Sequence, residues 1–388
     1  MSLGIYIQVP FCQTKCTYCN FHTGVVSPQR FAPYVSAVET EIREHRQRLG
    51  AAGIELTASF GNLTVDTVYF GGGTPSLLDP AHLSAILDAI RGAFGTALTE
   101  VTLEADPETV DQPKARAWSA AGVNRISFGV QSFSDIELKA SGRMHRRADV
   151  YRAVPILHSA GIANISFDLI AGLPHQTLES WQDSLHELIH LEPQHVSIYL
   201  LEVDEGSRLG SELLRGGTKY SASAVPPDDV MAECYDMARV QLGHAGYEQY
   251  EISNLARPGF ASHHNRKYWR RDPYLGFGAG AHSFSGTQRW ANAHDAAAYV
   301  QTVASGKAPV EQLENISSKQ ALDEELFLGL RQLEGIDLAR LERSYNISLE
   351  SRFARLQAAG LIERSGPIVR LAPARLSVAN EAFVELMS

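Results

Sequence analysis

Three cysteines fall within eight positions of this chain, Cys12, Cys16 and Cys19 in the run CQTKCTYC, and only one other, Cys234, occurs in its 388 residues. Thiolates gathered that tightly suit ligation of a soft metal better than disulfide pairing. A zinc site normally draws on four protein ligands and usually pairs two Cys-x-x-Cys knuckles. No second knuckle exists here. An iron–sulfur cluster held by three cysteines would leave one iron open to a small ligand. The competing reading is an amphipathic helix with inert, buried cysteines at i, i+4 and i+7.

Other residues with chemical potential lie at intervals along the chain. Gly71-Gly72-Gly73-Thr74-Pro75-Ser76 forms a glycine turn that would let a backbone approach a ligand closely. Glu104, Gln131, Arg143 and Asp168 follow, each open to a plainer role such as helix capping or surface pairing. Further on, His263-His264-Asn265-Arg266-Lys267-Tyr268-Trp269 combines imidazoles with aromatics. Histidine is a common axial ligand of heme iron and aromatics suit a flat porphyrin, with His282 as a weaker candidate. The alternative is a loop whose aromatics pack on the rim of a barrel.

The elements that must position these residues alternate regularly. Strand-like segments at 4–9, 65–70, 100–104, 125–130, 164–171 and 195–201 are separated by helical segments at 31–49, 80–94, 113–121, 148–160 and 178–191. That order predicts parallel βαβ units. The cysteines come after the first strand, the glycines after the second, Glu104 closes the third and Gln131 lies just past the fourth. Asp168 sits within the fifth and Tyr199 near the end of the sixth. In α/β barrels chemistry gathers at the carboxyl ends of the strands, so these positions converge on one mouth. After residue 201 the alternation breaks into a connection at 206–227, a helix at 229–245 and an aromatic, glycine-rich stretch at 247–285. Three short helices at 323–333, 337–345 and 349–359 and a hairpin at 361–371 close the chain. Few basic residues fall on the last two of these helices, which favours packing or a lid over DNA binding.

C-x3-C-x2-C, with YIQVPF before it and YCNF spanning its last cysteine, resembles the radical SAM superfamily. Within it the chain resembles the oxygen-independent coproporphyrinogen III oxidase-like family, in its heme chaperone branch. The resemblance implies an α/β fold: a partial (β/α)6 TIM-like radical SAM barrel over residues 1–215, an extension over 216–316 and a winged-helix-like α+β domain over 317–388. It implies a [4Fe-4S] cluster on Cys12, Cys16 and Cys19, with S-adenosyl-L-methionine on its open iron. Tyr6, Tyr18, Gly72, Gly73, Thr74, Glu104, Gln131, Arg143 and Asp168 would contact that cofactor, one or two molecules of it. The segment HNRKYW matches a heme chaperone hallmark and assigns heme to His264, Tyr268 and Trp269. Implied partners are heme, a heme-acceptor protein and a one-electron reductant. The implied rival is coproporphyrinogen III decarboxylation in heme biosynthesis, in which the pattern continues to a further cysteine. Phe21 stands at that position and disfavours that enzyme.

Composition narrows the classes further. A net charge of −10 argues against non-specific nucleic-acid binding. No apolar run reaches the roughly 18 residues of a membrane span, and the amino terminus lacks a signal-peptide pattern. Cysteines that must stay reduced for iron point to the cytoplasm.

Overall fold

The computed structural model describes residues 2–54, 56 and 63–387. Six parallel strands run in chain order across the centre of one sheet: β1 (Leu3–Val9), β2 (Val65–Gly72), β3 (Thr96–Ala105), β4 (Arg125–Gln131), β5 (Asn164–Ala171) and β6 (His195–Leu200). The crossovers carry helices α1 (Phe31–Ala51), α2 (Pro80–Ala93), α3 (Gln112–Ala121), α4 (Asp135–Ala140), α5 (Arg147–Ser159) and α6 (Leu178–Leu191). Helices α2, α3, α4 and α6 begin at a capping side chain. Asp79 accepts from Ala81 N before Pro80 opens α2, and Thr177 forms a capping box with Ser180 on α6. The partial barrel expected from the alternation is present, with β4 running to Gln131 rather than stopping at residue 130.

Strand alternation sorts residues between two surfaces. Ile5, Ile7, Val68, Phe70, Val101, Leu103, Ile126, Phe128, Phe167 and Val196 join the helices in the hydrophobic core. The intervening positions are polar: Glu100-x-Thr102-x-Glu104, Arg125-x-Ser127, Ser166-x-Asp168 and His195-x-Ser197. They meet in register across the strands. Thr67 pairs with Gly4 and Glu100, Glu104 with Ser127, and Asp168 with Ser197. The barrel lumen is therefore a polar column from its amino-terminal floor to its carboxyl-terminal mouth.

The sheet does not stop at the six strands. After α7 (Arg208–Leu214) and α8 (Asp228–His244), β7 (Glu248–Gln249) and β8 (Asn254–Ala256) extend it antiparallel beyond β6. Helix α9 (His263–Trp269) then leads to β9 (Tyr274–Phe277), which lies parallel to β1 on the opposite side. β10 (His282–Phe284), β11 (Gln288–Asn292) and, after α10 (Ala296–Ala304), β12 (Val310–Asn315) continue outward, giving twelve strands among the described residues. The carboxyl-terminal region places α11 (Ser318–Arg331), β13 (Ile336–Asp337), α12 (Leu338–Tyr345), α13 (Glu350–Ala358), β14 (Ile362–Ser365) and β15 (Ile368–Leu371) in winged-helix order, followed by α14 (Ala379–Met387). Arg340, Arg352 and Arg355 there pair with Glu325, Asp323 and Glu385.

Candidate functional site

The cysteines lie on a loop tied at its base and pinned at its middle. Phe11 and Cys12 pair in parallel with Gly24 and Val25, closing residues 13–23 into a loop. Buried Phe11 anchors that base, stacked on Phe31 at 4.7 Å and edge-on to Tyr34 at 4.9 Å. In the middle, Thr17 N donates to Ser141 O at 3.0 Å, and Leu209 N donates to Thr17 O at 2.8 Å. All three clustered thiols are partly exposed, whereas Cys234 is buried in α8. Burial pushes the Cys234 thiol up to about 11 and also raises Cys12. The inert-helix reading of the triplet fails, because the segment is a loop at the end of β1.

The loop walls a cavity of about 1210 Å³ at the barrel mouth. Gly72, Gly73, Thr74, Glu104, Gln131, Arg143, Asp168 and Tyr18 also line it. A cavity for one small ligand is typically about 300–1,000 Å³, so this one is amply large for a small-molecule cofactor.

Each polar group there has a structural cause for its position. Glu104 accepts from Gly72 N and from Tyr69 OH, both at 2.9 Å, which ties the glycine turn to β3. Burial lifts its pKa to about 7 against those hydrogen bonds, and the Asp168 carboxylate adds to the rise. Asp168, raised by burial, accepts from Ser127 Oγ at 3.3 Å. Neither carboxylate caps a helix. Arg143 is enclosed rather than on the surface. Its guanidinium pairs with Asp106, donates to Gly129 O at 2.7 Å and sits 3.6 Å from Cys16 Sγ. Asp106 also accepts from Thr74 Oγ1 at 3.2 Å, so one carboxylate joins the glycine turn to the arginine beside the cysteines.

The sequence reading missed Asp106, although it follows the β3 carboxylate by two positions in LEADPE and so shares its face. It also named no residue of the carboxyl-terminal region, which it read as packing or a lid and from which Leu376, Asn380 and Phe383 reach the same cavity. Gln131 closes β4 with φ at 64°, a left-handed conformation that side chains other than glycine adopt at a cost. Its Oε1 is buried without a hydrogen-bond partner. An acceptor held in that state at a cavity wall fits an incoming donor.

Two sets of residues expected at the site are elsewhere. Tyr6 does not line the cavity: its hydroxyl donates to Gln8 Oε1 at 2.7 Å and its ring packs on Tyr69. His264, Tyr268 and Trp269 lie at the opposite end of the barrel, on the helix that plugs its floor. Glu100 fixes that helix, accepting from the backbone of His263 and His264 at 2.9 Å each. His264 is 1% exposed, stacks on Tyr69, and has Nδ1 2.9 Å from Thr67 Oγ1 and Nε2 2.9 Å from Tyr268 OH. Burial lowers its pKa to about 3. With both ring nitrogens engaged inside the floor, His264 offers nothing to a heme iron in this arrangement. Trp269 lies under the Arg331 guanidinium, 4.6 Å from the ring centre. The alternative of aromatic packing against the barrel, stated above for this segment, describes its geometry.

The donor set fits the group implied by the cysteine spacing: three thiols on one loop, open to a cavity with an adjacent cation and an unpartnered amide oxygen. Comparison with known proteins agrees. Residues 6–188 match the radical SAM superfamily and residues 316–374 the HemN C-terminal domain. The heme chaperone HemW of Bacillus subtilis is 34% identical over 384 residues, 97% of each chain. HemW of Escherichia coli is 36% identical over 282 residues, 72% of this chain and 69% of that one. The solved coproporphyrinogen III oxidase of Escherichia coli, a radical SAM enzyme, superimposes with a TM-score of 0.83 at 21% identity, covering 99% of this chain and 90% of that one. A radical SAM protein implies a [4Fe-4S] cluster and S-adenosylmethionine, and no described helix is long and apolar enough to cross a membrane. The full-length match, the barrel and the cysteine loop together make this chain a member of the HemW family within the radical SAM superfamily.

Proposed function

We propose that this chain is a heme chaperone of the cytoplasm that binds heme as cargo and passes it to an acceptor protein. The observation that carries the reading is the identity with a heme chaperone across 97% of both chains. In this reading Cys12, Cys16 and Cys19 hold the [4Fe-4S] cluster. When bound, that cluster supplies one electron at a time and an open iron position for S-adenosylmethionine.

The chain's own residues prepare the place. Gly72 and Gly73 bring backbone to the cavity wall, and Glu104 orients that backbone through Gly72 N. Thr74, Tyr18, Asp168 and the unpartnered Gln131 Oε1 offer polar contacts. Arg143 sets a positive charge beside Cys16, and Asp106 holds that charge in place.

Phe21, 66% exposed at the rim, stands where the decarboxylating enzymes carry a further cysteine. The test is anaerobic reconstitution, then parallel assays of hemin binding, hemin transfer to apo-acceptors, and coproporphyrinogen III turnover with S-adenosylmethionine and a reductant. Stoichiometric hemin uptake and release with no turnover is the expected result. Sustained formation of protoporphyrinogen IX would replace the chaperone with the enzyme.

A further inference from the structure

If His264 is spent on the barrel floor, a heme-binding protein of this family needs another axial ligand, and imidazole is a common one. Three converge outside the polar lumen. His22 lies on the cysteine loop three residues past Cys19, His282 opens β10, and His294 follows β11 by two residues. The rings of His22 and His294 are in contact, with centroids 4.2 Å apart. Burial lowers the His282 pKa and the charges of His294, Arg289 and His22 add to it, which puts these groups within electrostatic reach of one another.

His22 and His282 are exposed, whereas His294 is packed so that its Nδ1 is buried with no hydrogen-bond partner. Gly280, at φ +73°, makes the space for that ring. A Cβ there would stand 3.0 Å from His294 Nδ1. Residues in the left-handed region favour glycine, so the backbone and the packing both ask for the missing side chain.

What surrounds the imidazoles indicates their ligand. Phe21, beside His22, is 66% exposed and Val25 is 60% exposed, so two apolar side chains on the same loop face water. Phe21 also lines the cavity over the cysteines. The Lys15 ammonium lies 3.4 Å from Phe21 O in an exposed contact. A bare metal ion would use the imidazoles and ignore the rest. An iron porphyrin uses all three features: imidazole for its iron, an exposed aromatic for its flat face and a cation for a propionate.

We propose that heme docks on the outer rim of the cysteine cavity, its iron taken by His22 with His294 packed behind, His282 alongside, Phe21 against the porphyrin and Lys15 near a propionate. The proposal rests on the heme-chaperone reading and deepens it, because it sets the cargo beside the cluster loop instead of at the barrel floor.

The test uses the full chain with its cluster reconstituted. Hemin and iron-free protoporphyrin IX are titrated separately into wild type, His22→Ala and the triple variant His22→Ala/His282→Ala/His294→Ala, with iron and sulfide measured on the same samples. Loss of the axial bond should weaken hemin about tenfold or more, equivalent to about 1.4 kcal/mol or more. The Soret band should shift, while protoporphyrin IX affinity and cluster content stay unchanged. Phe21→Ser should weaken both tetrapyrroles. Hemin binding by wild type with an unaltered titration and spectrum in the triple variant overturns this site and leaves the chaperone reading standing. Failure of wild type to bind hemin at all overturns both.

Discussion

Replacing His264 by alanine separates a structural histidine from a heme ligand. The side chain is 1% exposed and spans two hydroxyls, Thr67 Oγ1 and Tyr268 OH, at 2.9 Å each. Alanine removes two hydrogen bonds of about 1 kcal/mol each and leaves the Thr67 hydroxyl buried without this partner. It also opens a void of the kind that costs about 2–5 kcal/mol in large-to-small substitutions. These contributions overlap, so the net loss at pH 7.5 should be about 3–5 kcal/mol, against roughly 5–15 for a whole domain.

A pH signature identifies the cause. Burial holds the folded-state pKa at about 3, well below the value near 6.5 for an unfolded chain. Between those values the unfolded state binds a proton that the folded state refuses. The stability this group contributes is therefore complete above about pH 6.5 and is lost as pH falls toward 3. At pH 5 that loss is about 2 kcal/mol in wild type and absent in the variant. The gap between the two proteins should shrink to about 1–3 kcal/mol, since the other titrating groups cancel in the difference. Urea unfolding at pH 7.5 and pH 5 measures both gaps, and hemin titration of the folded variant completes the set. A variant as stable as wild type that has lost hemin would falsify the floor assignment and return His264 to the heme site.

Three further expectations follow from the same geometry. Cys16→Ala should abolish the iron–sulfur absorbance after reconstitution, while Cys234→Ala, which removes only a buried thiol from α8, should keep it; loss in the second variant would break the three-cysteine assignment. Arg143→Met removes the cation 3.6 Å from Cys16 Sγ, so the reduced, more negative cluster loses stabilisation and its potential should move downward. An unchanged midpoint in an anaerobic redox titration would mean that the guanidinium does not act on the cluster. Glu41 is buried among Tyr299, Asn292 and Gly278 N, and burial raises its pKa to about 7. The folded state keeps a proton that the unfolded state loses above about 4.5, so this contribution is full below that pH and lost as pH rises through 7. The cost of Glu41→Gln should therefore be smaller at pH 8 than at pH 5, and a pH-independent cost would contradict the assignment.

Much of the mouth was legible because its residues follow strand ends, and the alternation of strand and helix already places strand ends together. Cys12, Gly72 and Glu104 needed no more than that, whereas Asp168 lies within its strand and came from the family resemblance. Asp106 escaped because pairing is a property of three dimensions: nothing in LEADPE shows that Thr74 and Arg143 will both meet that carboxylate. The barrel floor escaped for a different reason. His-Asn-x-x-Tyr-Trp looks like a ligand box, since imidazole and aromatics serve metal sites and cores equally well. The arbiter was Glu100, 164 residues earlier, whose carboxylate fixes the backbone of the helix. The sequence did carry a hint. A buried parallel strand usually reads as continuously apolar, yet Glu100, Thr102 and Glu104 alternate with Val101 and Leu103. Polar alternation in a strand covered on its outer face by helices means a polar lumen, and a polar lumen needs partners at both ends.

Those two ends divide the work. At the floor, Thr67 and Glu100 find their hydrogen bonds within the chain, from α9. At the mouth, Gln131 Oε1 remains unpartnered, and Glu104 and Asp168 carry raised pKa values because burial exceeds what their neighbours return. A barrel whose mouth found all its partners within the chain would bind nothing there. The unsatisfied groups cost stability, and the hydrogen bonds at the floor help to offset that cost, which is why a substitution at His264 should destabilise the protein without changing what the mouth can hold.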